Sequence, residues 1–199
     1  MQYLKCNICK FPFYSLILHI AICDINTLKM KTQENIRPQD VVILLKIIAL
    51  GEQEWFHHTL AQDLGISQSE VSQSLNRSRY AGLIDESRKK VMKMALLELL
   101  EHGIRYIFPQ RPGALVRGIP TAHSASPLNK VIQSDENYVW PSAKGQMRGQ
   151  AVIPLYPSVM EAIQKDPQLY ELLALIDAIR VGRAREIKLA KKELEKRLC

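Results

Sequence analysis

The chain has 199 residues, a formal net charge of +7 and four cysteines. This length suits one large domain or two small ones, with ample apolar content for a core. No run of 18 or more apolar residues is present, so we expect no membrane-spanning helix. Four cysteines in a chain this long do not indicate a disulfide framework. The basic charge fits a polyanionic partner, and we expect a protein of the reducing cytoplasm.

Residues 1–29 have a composition unlike the rest of the chain and allow three interpretations. A leader peptide would explain the lysines that precede an apolar run. A start at Met30 would make the stretch an atypical N-terminal extension. We favour this interpretation, and with it we expect no metal. A small zinc site is the third interpretation. Its ligands would be Cys6, Cys9, His19 and Cys23.

A helix is predicted from Pro38 to Gly51, because proline suits a first helical turn and glycine a helix end. It is apolar nearly all round and is therefore expected to be a buried support. Trp55 and Phe56 follow as predicted core aromatics, and the adjacent histidines at 57 and 58 are expected at the surface.

Residues 59–84 have the spacing of a helix-turn-helix, the unit that places one helix in the major groove of DNA. Gly65 suits the sharp turn between the helices because it accepts a positive φ. Ser67 is predicted to cap the second helix, and Glu70 completes a capping box. The inward-facing residues are Leu60, Ala61, Leu64, Ile66, Val71 and Leu75.

The outer face of the second helix is rich in side chains that pair with base edges and phosphates. An ordinary helical hairpin is the alternative interpretation. The residues predicted to contact bases are Gln68, Ser69, Ser72, Gln73, Asn76 and Arg77, on a helix that spans 68–80. The residues predicted to contact phosphates are Thr59, Ser67, Arg79, Lys89 and Lys90.

The stretch LAQDLGISQSEVSQSLNRSRYAGLI resembles the helix-turn-helix of bacterial winged-helix regulators of the MarR type, and the resemblance covers about residues 38–84. In that family a β-hairpin wing follows the second helix directly. Here the apolar spacing of residues 85–103 instead predicts another helix, which ends at His102 and Gly103.

A β-hairpin is predicted over residues 104–120, where apolar residues alternate and turn-forming residues follow. We interpret it as a displaced wing with Arg111 at its tip, where an arginine can enter the minor groove. A hairpin with a purely structural role is the alternative. The DNA-binding domain would then span residues 37–120.

Residues 121–153 lack a clear period and are predicted to be a loop or linker, anchored by Tyr138 and Trp140. Residues 154–199 are predicted to be helical, with caps at Ser158 and Asp166. A basic segment continues this region, which we expect to mediate dimerisation or hold a protein partner. Its apolar stripe is Leu169, Leu172, Leu173, Ile176 and Ile179.

The predicted fold is therefore mainly α with a small β-hairpin: a winged helix-turn-helix domain plus a C-terminal helical region. We expect a homodimeric, sequence-specific regulator of transcription that binds double-stranded DNA, in the form of a repressor. The alternative is an antitoxin-like module that binds a partner protein through its C-terminal helices and represses its own operon. No P-loop, GxGxxG, GxSxG or HExxH motif is present, so neither an enzyme nor a cofactor is expected.

Overall fold

The computed structural model describes residues 35–199, and these fold around one apolar core. The zinc, leader-peptide and late-start interpretations of residues 1–29 lie outside the described residues. Eight α-helices, a π-helical segment, two short 3-10 helices (Ala122–Ser124 and Leu128–Lys130) and three short strands make up this part of the chain, which is mainly α with a small sheet. The helices are α1 (Pro38–Leu50), α2 (His57–Leu64), α3 (Gln68–Tyr80), α4 (Lys93–Glu98), α5 (Ile104–Ile107), α6 (Val159–Ala162), α7 (Pro167–Val181) and α8 (Ala184–Leu198).

Helices α1 and α7 form the centre of the core. Residues 40–47 of α1 are buried without exception, which confirms the predicted support helix. Lys46 is buried among them, and its ammonium pairs with Asp63 of α2 at 3.1 Å and Asp166 at 2.9 Å. Asp166 also caps α7, as predicted, by accepting a hydrogen bond from the Leu169 N–H at 2.9 Å. One lysine of α1 therefore joins the end of α2 to the start of α7.

The apolar stripe of α7 is buried within this fold. All five of its residues are at most 3% exposed, because α7 packs against α1, α5 and α8 of the same chain. The stripe is therefore buried against the core of its own chain, and a role of residues 154–199 in dimerisation or in binding a partner stays a prediction. The Ser158 cap is wrong, since the Ser158 hydroxyl is buried without a hydrogen-bond partner among the described residues.

The three strands form a small closed sheet: β1 (Leu115–Pro120), β2 (Tyr138–Pro141) and β3 (Met147–Ala151). Strand β1 runs antiparallel to both others, with Gly118 opposite Pro141 of β2 and Met147 of β3. Strands β2 and β3 pair in parallel, with Tyr138 opposite Gln150. The sheet thus lies largely inside the segment predicted to be a loop, although Tyr138 and Trp140 are buried anchors as expected.

Glycine makes this closure possible. A Cβ on Gly118 would lie 2.1 Å from the Trp140 carbonyl oxygen, and one on Gly145 would lie 2.1 Å from the carbonyl carbon of Gly118. No side chain fits at such distances, so the backbones approach as closely as they do only because both positions lack one.

The predicted hairpin over 104–120 is wrong. Residues 104–107 are helix α5, which continues α4 through the π-helical segment Leu99–Gly103. Arg111 is exposed in the loop that follows, and this loop is fastened to the sheet where the Gly113 N–H donates to the Ala151 carbonyl at 2.8 Å. Arg111 is therefore not the tip of a two-stranded wing.

Candidate nucleic-acid interface

Helices α2 and α3 meet at a tight turn whose geometry follows the sequence closely. Gly65 has a φ of +63° in the left-handed region, and the next N–H, of Ile66, bonds to the Ala61 carbonyl at 3.0 Å. Ser67 caps α3 by accepting a hydrogen bond from the Glu70 N–H at 3.1 Å. The predicted inner residues pack into the core, so α3 is held with one face towards solvent.

That solvent-facing side carries most of the residues predicted to contact bases. Gln68, Ser69 and Gln73 are exposed, while Ser72 and Asn76 are half-buried. The Gln73 amide donates to the Ser69 hydroxyl at 3.3 Å, which leaves its carbonyl and one N–H free towards solvent among the described residues. This face thus offers amide and hydroxyl groups in both donor and acceptor roles.

Arg77 is different, and its predicted base contact is wrong. The residue is only 3% exposed, because its guanidinium turns inward to both carboxylate oxygens of Asp40 on α1, at 2.9 and 2.6 Å. A third bond of 2.7 Å reaches the Glu70 carboxylate, which also accepts from the Gln39 amide at 2.9 Å. Arg77 therefore fastens α3 to α1. A lone acid at the start of the apolar helix α1 was the signal for this partner.

The inward orientation of Glu70 matters for the outer face of α3. Hydrogen bonds from Gln39 and Arg77 hold the pKa of the Glu70 carboxyl below its usual range. Glu70 is the single acid of α3. With its charge occupied inside this cluster, it completes only half of the predicted capping box and leaves no free carboxylate on the helix.

A compact turn follows α3, where the sequence predicted a helix. Ile84 and Val91 form an antiparallel bridge, flanked by a hydrogen bond from the Met92 N–H to the Leu83 carbonyl at 2.9 Å. The helical prediction for residues 85–103 therefore fails as far as Met92 and holds from Lys93, although the helix does not end at Gly103 but continues to Ile107. We refer to residues 85–90 as the basic turn.

Asp85 organises the basic turn from within. Its carboxylate accepts hydrogen bonds from the Ser87 hydroxyl and from the N–H groups of Lys89 at 2.8 Å and Lys90 at 2.9 Å. These bonds, with that from Ser87 the strongest, lower the pKa of Asp85 to about 2. Arg88 takes a φ of +58°, which the turn imposes on a residue other than glycine.

The cations of the basic turn are fastened to the helix pair. The Arg88 guanidinium donates to the Asn76 side-chain oxygen at 3.0 Å, which ties the turn to α3. The Lys89 ammonium lies 4.5 Å from the centre of the Trp55 ring and 5.8 Å from that of Phe56. Trp55 is buried as expected, whereas Phe56 is 53% exposed and is not a core residue.

The remaining residues predicted to contact phosphates fall into two groups. Lys90 and Arg79 are exposed, and the nearest acid to Arg79 is Glu86, 3.9 Å away. Thr59 and Ser67 use their hydroxyls as helix caps, since Thr59 both accepts from the Phe56 N–H at 3.0 Å and donates to its carbonyl at 2.8 Å. Arg111 lies in the loop between α5 and β1 and not on the basic turn.

Within residues 35–199 no group of three or more His, Cys, Asp or Glu side chains is arranged to hold a metal ion. Over the same residues no helix has both the length and the apolar character needed to cross a membrane. Comparisons with models of protein families, with curated proteins and with solved structures gave no match. The resemblance to MarR-type regulators therefore stays a prediction based on residues 38–84.

Proposed function

We propose that this protein is a sequence-specific regulator of transcription that binds double-stranded DNA as a winged helix-turn-helix, with α3 in the major groove. One observation carries the proposal. The outer face of α3 exposes amide and hydroxyl side chains, while its single acid, Glu70, is held inward by Arg77 and Gln39. A helix face that meets a polyanion needs this combination, because an outward carboxylate would repel phosphates.

The proposed roles follow from side-chain chemistry. Gln68 and Gln73 carry amides that can pair with two atoms of an adenine edge at once, whereas Asn76, whose oxygen accepts from Arg88, would offer its N–H donors. Ser69 and Ser72 are short and would let the groove approach the helix closely. Arg79 and Lys90, exposed at the end of α3 and on the basic turn, would contact the backbone and supply affinity without sequence preference.

In this proposal the basic turn serves as a minimal wing. The hydrogen bond between Arg88 and Asn76 sets its position relative to α3, and Asp85 keeps its backbone ordered before DNA arrives. A preformed surface loses little conformational freedom on binding, which favours affinity. In this proposal Arg77 contacts no base; instead it orients α3 through its pair with Asp40.

A homodimer would suit an operator with two half-sites, and a repressor that occupies such a site would block transcription. Because the α7 stripe is buried, we propose that any such interface lies on another surface. A palindrome among selected sequences would reveal the dimer as well as the specificity.

The test begins with selection of bound duplexes from a random DNA pool. On the most enriched duplex, Gln73→Ala should weaken binding by about 1–3 kcal/mol and relax the preference at one base pair. Gln133→Ala is the matched control, since Gln133 is an exposed glutamine outside the interface. Recovery of no enriched sequence, or equal affinity of both variants for that duplex, would remove α3 as the base-contacting helix.

A further inference from the structure

Helix α8 has a basic outer face that the proposed helix-turn-helix does not use. Arg185, Lys188 and Lys192 are exposed there, and none of them forms an ion pair with another residue of 35–199. Lys188 and Lys192 are four residues apart, which places them in one row along the helix. We call these three residues the α8 basic row.

The acids of α8 lie mostly beside this row and not on it. Glu186 turns towards the start of the helix, where its carboxylate accepts from the Arg183 N–H at 2.9 Å. Glu193 pairs with Lys196 at 2.6 Å and with Arg197 at 2.7 Å. Glu195, the one exposed acid of the helix, lies three residues after Lys192 on the same face, so the α8 basic row has three exposed cations beside one exposed acid and keeps a net positive charge.

The row leads to the proposed DNA interface. Cys199, seven residues after Lys192, shares its face of the helix, and its sulfur lies 3.5 Å from that of Met94. Met94 belongs to the first turn of α4, directly after the basic turn, where Lys90 and Lys93 are exposed. The path from Lys188 to this junction is about 17 Å at 1.5 Å per residue, the length of about five base steps of duplex.

We propose that the α8 basic row binds the phosphate backbone of duplex DNA that flanks the segment contacted by α3. This inference rests on the proposed function and extends its footprint. Charge complementarity and continuity with the basic turn favour DNA as the occupant. A membrane surface would require an exposed apolar face next to the charges, but no large apolar residue of α8 is exposed, since Ile187 and Leu189 are half-buried. The others, Ala190, Leu194 and Leu198, apart from the exposed Ala184, are buried in the core.

The experiment compares two duplexes with the same single half-site of the selected sequence at their centre, one of 12 and one of 24 base pairs, so that neither offers a second half-site. Wild type should bind the longer duplex more tightly, with a steeper dependence on salt. Lys188→Gln/Lys192→Gln should remove this advantage and lower the salt slope on the longer duplex by about 1.8, or 0.9 for each lost phosphate contact. Its affinity for the 12-base-pair duplex should not change.

The matched control is Lys144→Gln/Arg148→Gln, which removes the same charge from exposed positions at the sheet. It should keep the preference of wild type for the longer duplex. An unchanged preference in Lys188→Gln/Lys192→Gln would overturn the inference while leaving the proposed function intact.

Two further outcomes would also count against it. Failure of wild type to bind even the 12-base-pair duplex would overturn the proposed function, and this inference with it. Vesicles with 30% phosphatidylserine provide the last arm. Loss of vesicle binding in Lys188→Gln/Lys192→Gln, with both duplex affinities unchanged, would assign the row to a membrane surface instead.

Discussion

Two buried pairs of arginine and carboxylate hold different parts of this molecule, and they work in different ways. The first joins Asp40 of α1 to Arg77 of α3, two helices that each form their own backbone hydrogen bonds. The guanidinium meets both oxygens of the carboxylate, which fixes direction as well as distance. This pair sets how α3 is oriented on its support.

The second pair, Asp177 and Arg180, lies within the single helix α7. Arg180 donates to the carbonyls of Phe108 at 2.9 Å and Ile153 at 3.3 Å, both in segments outside helices and strands. Asp177 accepts hydrogen bonds from the Trp140 indole N–H at 2.5 Å and from the buried Thr121 hydroxyl.

The difference teaches what a buried charge does in each setting. The Arg77 guanidinium bonds to no backbone carbonyl of residues 35–199, so its pairing with Asp40 chooses an orientation of α3. Around Arg180 the same kind of pair also supplies partners to carbonyl groups that no helix or strand satisfies, and a buried polar group without a partner is costly. Loss of the second pair should therefore be the more damaging.

Asp177→Ala is the substitution for which we expect the largest effect. It leaves the Arg180 charge buried without its carboxylate and the Trp140 N–H without an acceptor, so the free energy of unfolding should fall by about 3–5 kcal/mol. Urea unfolding followed by tryptophan fluorescence measures this. Asp135→Ala, at an exposed loop position, is the control and should change stability little. A loss below about 1 kcal/mol for Asp177→Ala would contradict this account of the second pair.

Arg77→Met should cost less, about 2–3 kcal/mol, because the groups it abandons keep other partners. Asp40 still accepts from the Arg37 N–H at 2.8 Å, and Glu70 still accepts from Gln39. The same variant separates orientation from base contact. At a temperature where the variant is folded, loss of the orienting pair should weaken all base contacts of α3 together, so that affinity falls while the preferred sequence stays that of wild type.

Arg79→Met is the matched arginine on the exposed side of α3. It should leave the urea midpoint nearly unchanged and weaken binding to all duplexes alike, as expected of a phosphate contact. A change of preferred sequence in Arg77→Met, without a change in stability, would restore Arg77 to the base-contacting set.

The helix pair could be predicted because its signals are local. Gly65, Ser67 and the apolar spacing of α2 and α3 each act over at most one helical turn, and the structure contains every one of them. The orientation of Arg77 could not be predicted in the same way, since it depends on Asp40, 37 residues away in sequence. An exposed arginine and a buried one look alike in a helical pattern.

The basic turn and the sheet were missed for two different reasons. Val91 and the apolar residues after it continue a helical spacing, which hid the turn that the Asp85 carboxylate stabilises. The sheet depends on pairing between distant segments and on the close approach of Gly118 and Gly145. Neither appears in a local pattern, whereas the turn-forming residues near Arg111 favoured a hairpin that does not form.

The smallest expected effect concerns protonation, and it belongs to the first of the two regions. His57 begins α2 near the basic turn, and burial followed by the charges of Arg88 and Lys89 lowers its pKa below the ordinary 6.5. Phosphates that bind these two cations would offset their charges, so the pKa of His57 should rise when DNA binds. Binding then takes up part of a proton, and affinity should fall as pH rises through the interval between the two pKa values.

We expect a loss of about twofold to fivefold between pH 5.5 and 7.5, measured by fluorescence anisotropy at constant ionic strength. His57→Gln should flatten this dependence, whereas His102→Gln, at an exposed site in the π-helical segment, should keep it. Equal pH profiles for wild type and His57→Gln would show that the basic turn does not meet phosphate beside His57.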